Sequence, residues 1–133
     1  MIQQIAVFLE NKEGQISKCC KALKEAHINL RSMSIADTKE FGILRVITDD
    51  SEKALSVLQS AGFLANLVNL VAVEVEDKSG ALSNVLIALS DRGVNIEYMY
   101  SYASENGVAK IVFKTATPEK ALEVLNSIGA TVI

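Results

Sequence analysis

The chain has 133 residues, half of them apolar, with one proline, seven glycines and a formal net charge of −3. That is enough for one good core or two small ones leaning on each other, and the composition excludes a long disordered tract. The 13 lysines and arginines form no run, which argues against nucleic acid as a partner, and no apolar stretch reaches the roughly 18 residues of a membrane-spanning helix.

Ile5, Val7 and Leu9 alternate along residues 2–9 and predict a first strand. A polar loop from Glu10 to Gln15 holds Gly14, and then Ile16, Cys19, Cys20 and Leu23 mark the inner stripe of a helix ending near Ala26-His27. Residues 28–35 read as extended, and 41–47 as their antiparallel partner across a polar turn at 37–40. Asp50 or Ser51 can cap a second helix with Ala54, Leu55, Leu58 and Ala61 inward, which Gly62 closes. A fourth strand is expected over 63–67, with a junction near Asn69.

The same order then returns. Val71, Val73 and Val75 predict a strand over 70–76, a turn runs from Asp77 to Gly80, and Leu82, Val85, Leu86 and Leu89 set a helix over 81–92. A hairpin within 94–114, a helix over 118–128 starting at Pro118, and a short strand at 130–133 complete the chain. An offset of 66 places Gly14 on Gly80, Ile16 on Leu82, Leu23 on Leu89 and Asn29 on Asn95. Gly42 and Gly107, like Gly62 and Gly129, match within one residue, so the halves read as an internal duplication. Each half is βαββαβ, the ferredoxin-like unit of the α+β class, with two helices on one face of an antiparallel sheet. The expected domains are 1–69 and 70–133. Each is marginal alone, so they are expected to pack closely and the chain to form a homodimer.

Several residues invite a functional reading. Gly14 and Gly80 sit at helix starts, whose unpaired N–H groups favour a carboxylate; a turn needing positive φ, or close backbone approach, explains them as well. Asn29 and Asn95 begin second strands, where asparagine needs a partner, either a ligand or a local Asx turn. Asp77 can hold an ammonium or simply be an exposed turn residue, whereas the matching loop has Asn11 and Lys12, so two sites would bind unequally. Adjacent Cys19 and Cys20 suit neither a stapling disulfide nor a CxxC pair, and read as structural thiols in a reducing, cytoplasmic setting. His27 falls at a helix end, where it acts as a cap unless a reacting partner lies nearby. Tyr98, Tyr100 and Tyr102 alternate on one side of a strand, as an interface or a ligand wall. HExxH, GxGxxG and P-loop motifs are missing from the sequence, the carboxylates are scattered, and one histidine cannot supply a multi-histidine site. No catalytic residue, metal or cofactor is expected, and the N-terminus lacks the pattern of a secretion signal.

With these residues in view, the sequence resembles a tandem ACT-domain protein. The likeness is carried by "VEVEDKSGALSNVLIALSDRGVNIEYMYSY" and, more loosely, by "VFLENKEGQISKCCKALKEAHINLRSMSIA". The resemblance implies a regulatory, non-catalytic module that holds a small effector, commonly an amino acid, between adjacent ACT units. Carried onto this chain, it nominates Asn11, Lys12, Gly14, Gln15 and Ile16 with Asn29 and Leu30 in the first half. In the second half it nominates Asp77, Gly80, Ala81 and Leu82 with Asn95 and Ile96. Where the family often has proline before the loop glycine, this chain has Glu13 and Ser79. The resemblance also implies a regulated enzyme or regulator protein as partner. An adaptor that assembles through the same fold without a ligand is the alternative, and a small enzyme would need a reactive pair involving His27, Cys19 or Cys20.

Overall fold

A computed structural model describes residues 1–37 and 39–133; the predicted turn at 37–40 contains Thr38, which lies outside the described residues. The chain divides into two compact units, Gln3–Val68 and Asn69–Ile133, the second also taking Met1–Ile2. In the first unit β1 (Ile2–Glu10), α1 (Gln15–Glu25), β2 (Leu30–Asp37), β3 (Phe41–Thr48), α2 (Ser51–Ser60) and the start of β4 (Leu64–Glu76) follow in order. The second continues from β4 through α3 (Ala81–Asp91), β5 (Tyr98–Glu105), β6 (Val108–Lys114), α4 (Pro118–Ser127) and β7 (Thr131–Val132). The strands lie in the order β2-β3-β1-β4 in the first unit and β5-β6-β4-β7 in the second. This is the α+β, ferredoxin-like arrangement read from the sequence.

Each core is built by alternate strand residues meeting helical stripes. Ile5, Val7 and Leu9 of β1 and Leu44 and Val46 of β3 pack with Cys19 and Leu23 of α1 and Ala54 and Leu58 of α2. In the second unit Val71, Val73 and Val75 meet Ile111 and Phe113, with Val85 and Leu89 of α3 and Ala121, Val124 and Leu125 of α4. Both helices of a unit therefore cover one face of its strands, because strand side chains alternate and helical ones return every third or fourth residue. Two expected core positions fail at helix ends. Ile16 is 43% exposed in the first turn of α1, and Ala61 is the exposed C-cap of α2.

The strands expected over 63–67 and 70–76 are not separate, for β4 runs without interruption from Leu64 to Glu76. Asn66 and Asn69 are exposed positions in a run free of glycine and proline and rich in valine and leucine. The fourth and fifth expected strands are therefore one element.

The sheet registers also correct the repeat. Met33 pairs with Val46 and Met99 with Phe113, so β2 matches β5 at 66 while β3 matches β6 at 67. The added residue is Tyr102, which the register skips between Ser101 and Ala103 as a bulge. This breaks the alternation expected of Tyr98, Tyr100 and Tyr102. It also unpairs Gly42 from Gly107: Gly42 lies in β3 opposite Leu9, whereas Ala109 holds the equivalent place opposite Val75. Gly107 instead follows Asn106 in the β5–β6 turn, at φ of 76° and 53°. Positive φ at both central residues is the turn that matches strand twist.

The helices begin differently and end alike. Asp50 caps α2 by accepting the Lys53 N–H at 3.1 Å, while α4 relies on Pro118 at its start. All four end in one motif. After α1 the His27 N–H donates to the Lys24 carbonyl and the Ile28 N–H to the Leu23 carbonyl. Gly93, Gly62 and Gly129 hold the corresponding left-handed position after α3, α2 and α4, so His27 stands where the other three helices use glycine. Among the described residues no helix is long and apolar enough to cross a membrane.

Candidate functional site

The two strand-to-helix loops are built alike. Lys12 and Lys78 donate their backbone N–H to Glu10 and Glu76, and the chain turns into α1 and α3 through Gly14 and Gly80 at φ of 84° and 88°. A Cβ at either glycine would meet nothing within 4 Å. The left-handed backbone, not close approach, is therefore what requires glycine here. Neither helix has a side-chain cap; the Gln15 and Ala81 N–H groups donate to the Lys12 and Lys78 carbonyls, and the amides that follow carry the partial positive charge of the helix start.

The cations of both loops are engaged locally. Lys12 lies 3.0 Å from Glu10 and Lys78 contacts Glu76, and both pairs are well exposed. The hydrogen bond and charge of Glu76 hold the Lys78 ammonium above its ordinary range. Such solvated pairs add little stability, but they lessen the charge either loop shows to an anion. Asn11 donates its amide N–H to Glu40 and its side chain to the Lys39 carbonyl, while the Asp77 N–H donates to Gly107. Each loop is thereby tied to its own hairpin turn.

Each unit carries an open groove on either flank of its first helix. In the second unit one groove of ≈ 570 Å³ runs along α3 and gathers Leu82, Leu86, Ile87, Asn95 and Ile96. On the other flank Ala81, Lys78, Glu74 and Glu76 line a groove of ≈ 440 Å³. In the first unit Asn29 and Leu30 line a groove of ≈ 510 Å³ with Cys20, Lys24 and His27, and Gln15 lines one of ≈ 340 Å³ with Phe8, Lys18 and Phe41. The four grooves correspond in pairs across the repeat.

The nominated residues are thus brought together only in part. Leu82, Asn95 and Ile96 share a groove, and so do Asn29 and Leu30. Ala81 and Gln15 line the opposite flank, since successive helical residues diverge by about 100°. Asn11, Gly14, Asp77 and Gly80 are exposed on the loops, and Ile16 is exposed on α1. Asn29 is held by its backbone: its N–H donates to Asp49 Oδ1 at 3.1 Å, and its carbonyl accepts from the Asp49 N–H at 3.2 Å.

The two cysteines separate. Cys19 is fully buried in the first core, where burial, and secondarily its neighbour Cys20, push the thiol up to about 11. Cys20 is half-buried and lines the Asn29 groove with His27. Sequence reasoning missed Lys24 and His27 there, and Ser83, Ile87 and Ser90 in the α3 groove. The repeat offset, followed along the outward face of each helix, would have found them. Among the described residues no cluster of three metal-ligating side chains occurs.

Comparison with known proteins decides the family. A family model described as an ACT domain pair matches residues 1–129. The chain belongs to the ACT domain pair family. A protein from Bacteroides thetaiotaomicron, BT0572, has a crystal structure similar to this ACT pair at TM-score 0.93 and 38% identity, covering 99% of this chain and 91% of that one. The regulatory subunit of aspartate kinase from Thermus thermophilus, in a ligand-free form, shares the fold at TM-score 0.65 and 19% identity, over 94% of this chain and 91% of that one. The corresponding subunit from Thermus flavus is similar at TM-score 0.65 and 18% identity, over 94% and 90%.

Proposed function

We propose that this ACT pair, with repeats at 1–69 and 70–133, is a non-catalytic cytoplasmic regulator that binds a free amino acid beside the first helix of a repeat. The observation carrying this reading is the shared groove of Leu82, Asn95 and Ile96. Leu82 and Ser83 are the second and third residues of an uncapped helix, so their N–H groups can take a carboxylate. The Asn95 carboxamide, in the same groove, can accept from the ammonium. Asn29 and Leu30 supply the weaker counterpart, and the loop residues Asn11, Lys12, Gly14, Asp77 and Gly80 lead into the helix starts whose amides take the carboxylate. Because the groove is open, an ACT unit of a second copy would close it over the ligand. Binding would then alter the assembly seen by a regulated enzyme or regulator protein, by analogy with the regulatory subunits of aspartate kinase that share the fold.

The test is calorimetric titration of the purified protein against the common amino acids. One or a few should bind, and Asn95→Ala should weaken that binding by about tenfold or more, as expected for loss of a hydrogen bond to a charged group. The absence of heat from every amino acid at several temperatures would sink the reading.

A further inference from the structure

The two Asn-bearing grooves share a backbone and differ in chemistry. Around Asn95 the walls are Leu82, Leu86, Ile87, Val94 and Ile96, and the remaining polar groups are the hydroxyls of Ser83 and Ser90. No charged side chain is among them. Around Asn29 the equivalents of Leu86, Ser90 and Gly93 are Cys20, Lys24 and His27, which bring an ammonium and an imidazole ring to the rim. Volume does not separate the grooves, since both fall in the range of small-ligand sites. Polarity does.

We infer that the groove beside α3 selects amino acids with aliphatic or thioether side chains, and that it, not the groove beside α1, is the site for them. The inference rests on the amino-acid reading above. Once the α-carboxylate and α-ammonium have polar partners, the side chain must lie along the aliphatic wall. With the groove closed as proposed, a carboxylate or ammonium there would lose water and find no counter-charge among the groove's own residues, a far larger penalty than a change of shape. A hydroxyl would be rejected only weakly, because an apolar pocket discriminates poorly against an isostere that merely adds one. The groove should therefore separate charge from apolarity sharply and similar aliphatic ligands poorly.

Ligands matched in shape make the test. Leucine against aspartate, methionine against glutamate, and norleucine against lysine should each differ in affinity by about 100-fold or more. Two variants locate the site. Ser90→Lys imports the first unit's cation at a position where the equivalent helix already tolerates it, and should weaken the best aliphatic ligand about tenfold. Ser56→Lys places the same cation on the exposed face of α2, where it lines neither groove, and should leave that affinity unchanged. A charged amino acid binding as tightly as its apolar match would overturn the selectivity while leaving amino-acid sensing intact. Aliphatic binding that weakens as much in Ser56→Lys, or stays unchanged in Ser90→Lys, would overturn the assignment of the groove. Binding of no amino acid would overturn both the inference and the reading beneath it.

Discussion

The two units keep the same inward positions, filled by apolar residues of differing size, and differ in polarity on the face beside the first helix. Leu23 and Leu89, or Ile28 and Val94, occupy matching core places, and Asn29 and Asn95 follow the same helix stop. One turn further out, Cys20, Lys24 and His27 replace Leu86, Ser90 and Gly93. Packing constrains whatever points at the strands, because interiors tolerate small volume changes badly, whereas a groove lining can change without disturbing the fold. Duplication of a fold therefore does not duplicate a site.

The largest expected effect tests whether the cores really are equivalent. Leu23 and Leu89 are both fully buried, so Leu23→Ala and Leu89→Ala should each cost about 3 kcal/mol, read from urea denaturation. A loss under about 1 kcal/mol in one variant alone would mean that this unit contributes less to the cooperative transition, and the symmetry of the two cores would be only geometric.

A smaller effect sharpens the contrast at Cys19, whose counterpart is the untitratable Val85. The Cys19 thiol is raised from 9.0 to about 11, so the folded protein holds its proton more tightly than the unfolded chain does. The resulting stabilisation is fully present below pH 9 and is lost as pH rises through 11. Its size is on the order of 2 kcal/mol. Cys19→Val gives the first unit the residue of the second and should flatten that part of the profile. The readout is the difference between the two proteins from pH 8 to pH 11, since lysines and tyrosines titrate alike in both. A parallel pair of curves would show that the thiol is not desolvated. Cys20→Ser should change the slope less, because the neighbour's charge is the secondary cause.

Most of the fold was legible because apolar residues recur at two clean periods, and the family resemblance rested on the same residues. What escaped had physical reasons. Asn69 looks like a turn residue, yet in an extended strand an exposed asparagine costs too little to break the run through Val68 and Val71. The drift of the repeat from 66 to 67 was visible at Gly62 and Gly129, but only the ladder locates its cause at Tyr102. The grooves were harder still. Ala81 and Leu82 are neighbours in sequence, and the helix sends them to opposite flanks, so a contiguous motif becomes two lining sets.

The smallest effect concerns the helix stops, where the comparison turns on one side chain. His27 sits at φ 57° in the position that Gly93 fills at φ 75°. A left-handed residue with a Cβ is strained by roughly 1–2 kcal/mol, and glycine returns part of that advantage as unfolded-state entropy. His27→Gly should therefore stabilise the first unit by up to about 1 kcal/mol, and Gly93→Ala should destabilise the second by about 1 kcal/mol. Sterics do not confuse the second substitution, since a Cβ at Gly93 meets only the end of Lys120 at 3.6 Å. Both changes are read from denaturation midpoints at one fixed pH. If His27→Gly destabilises instead, the ring makes contacts beside Cys20 and Lys24 that outweigh its backbone strain. The histidine would then be part of the groove's construction, and the first unit would hold a residue that its fold alone would replace.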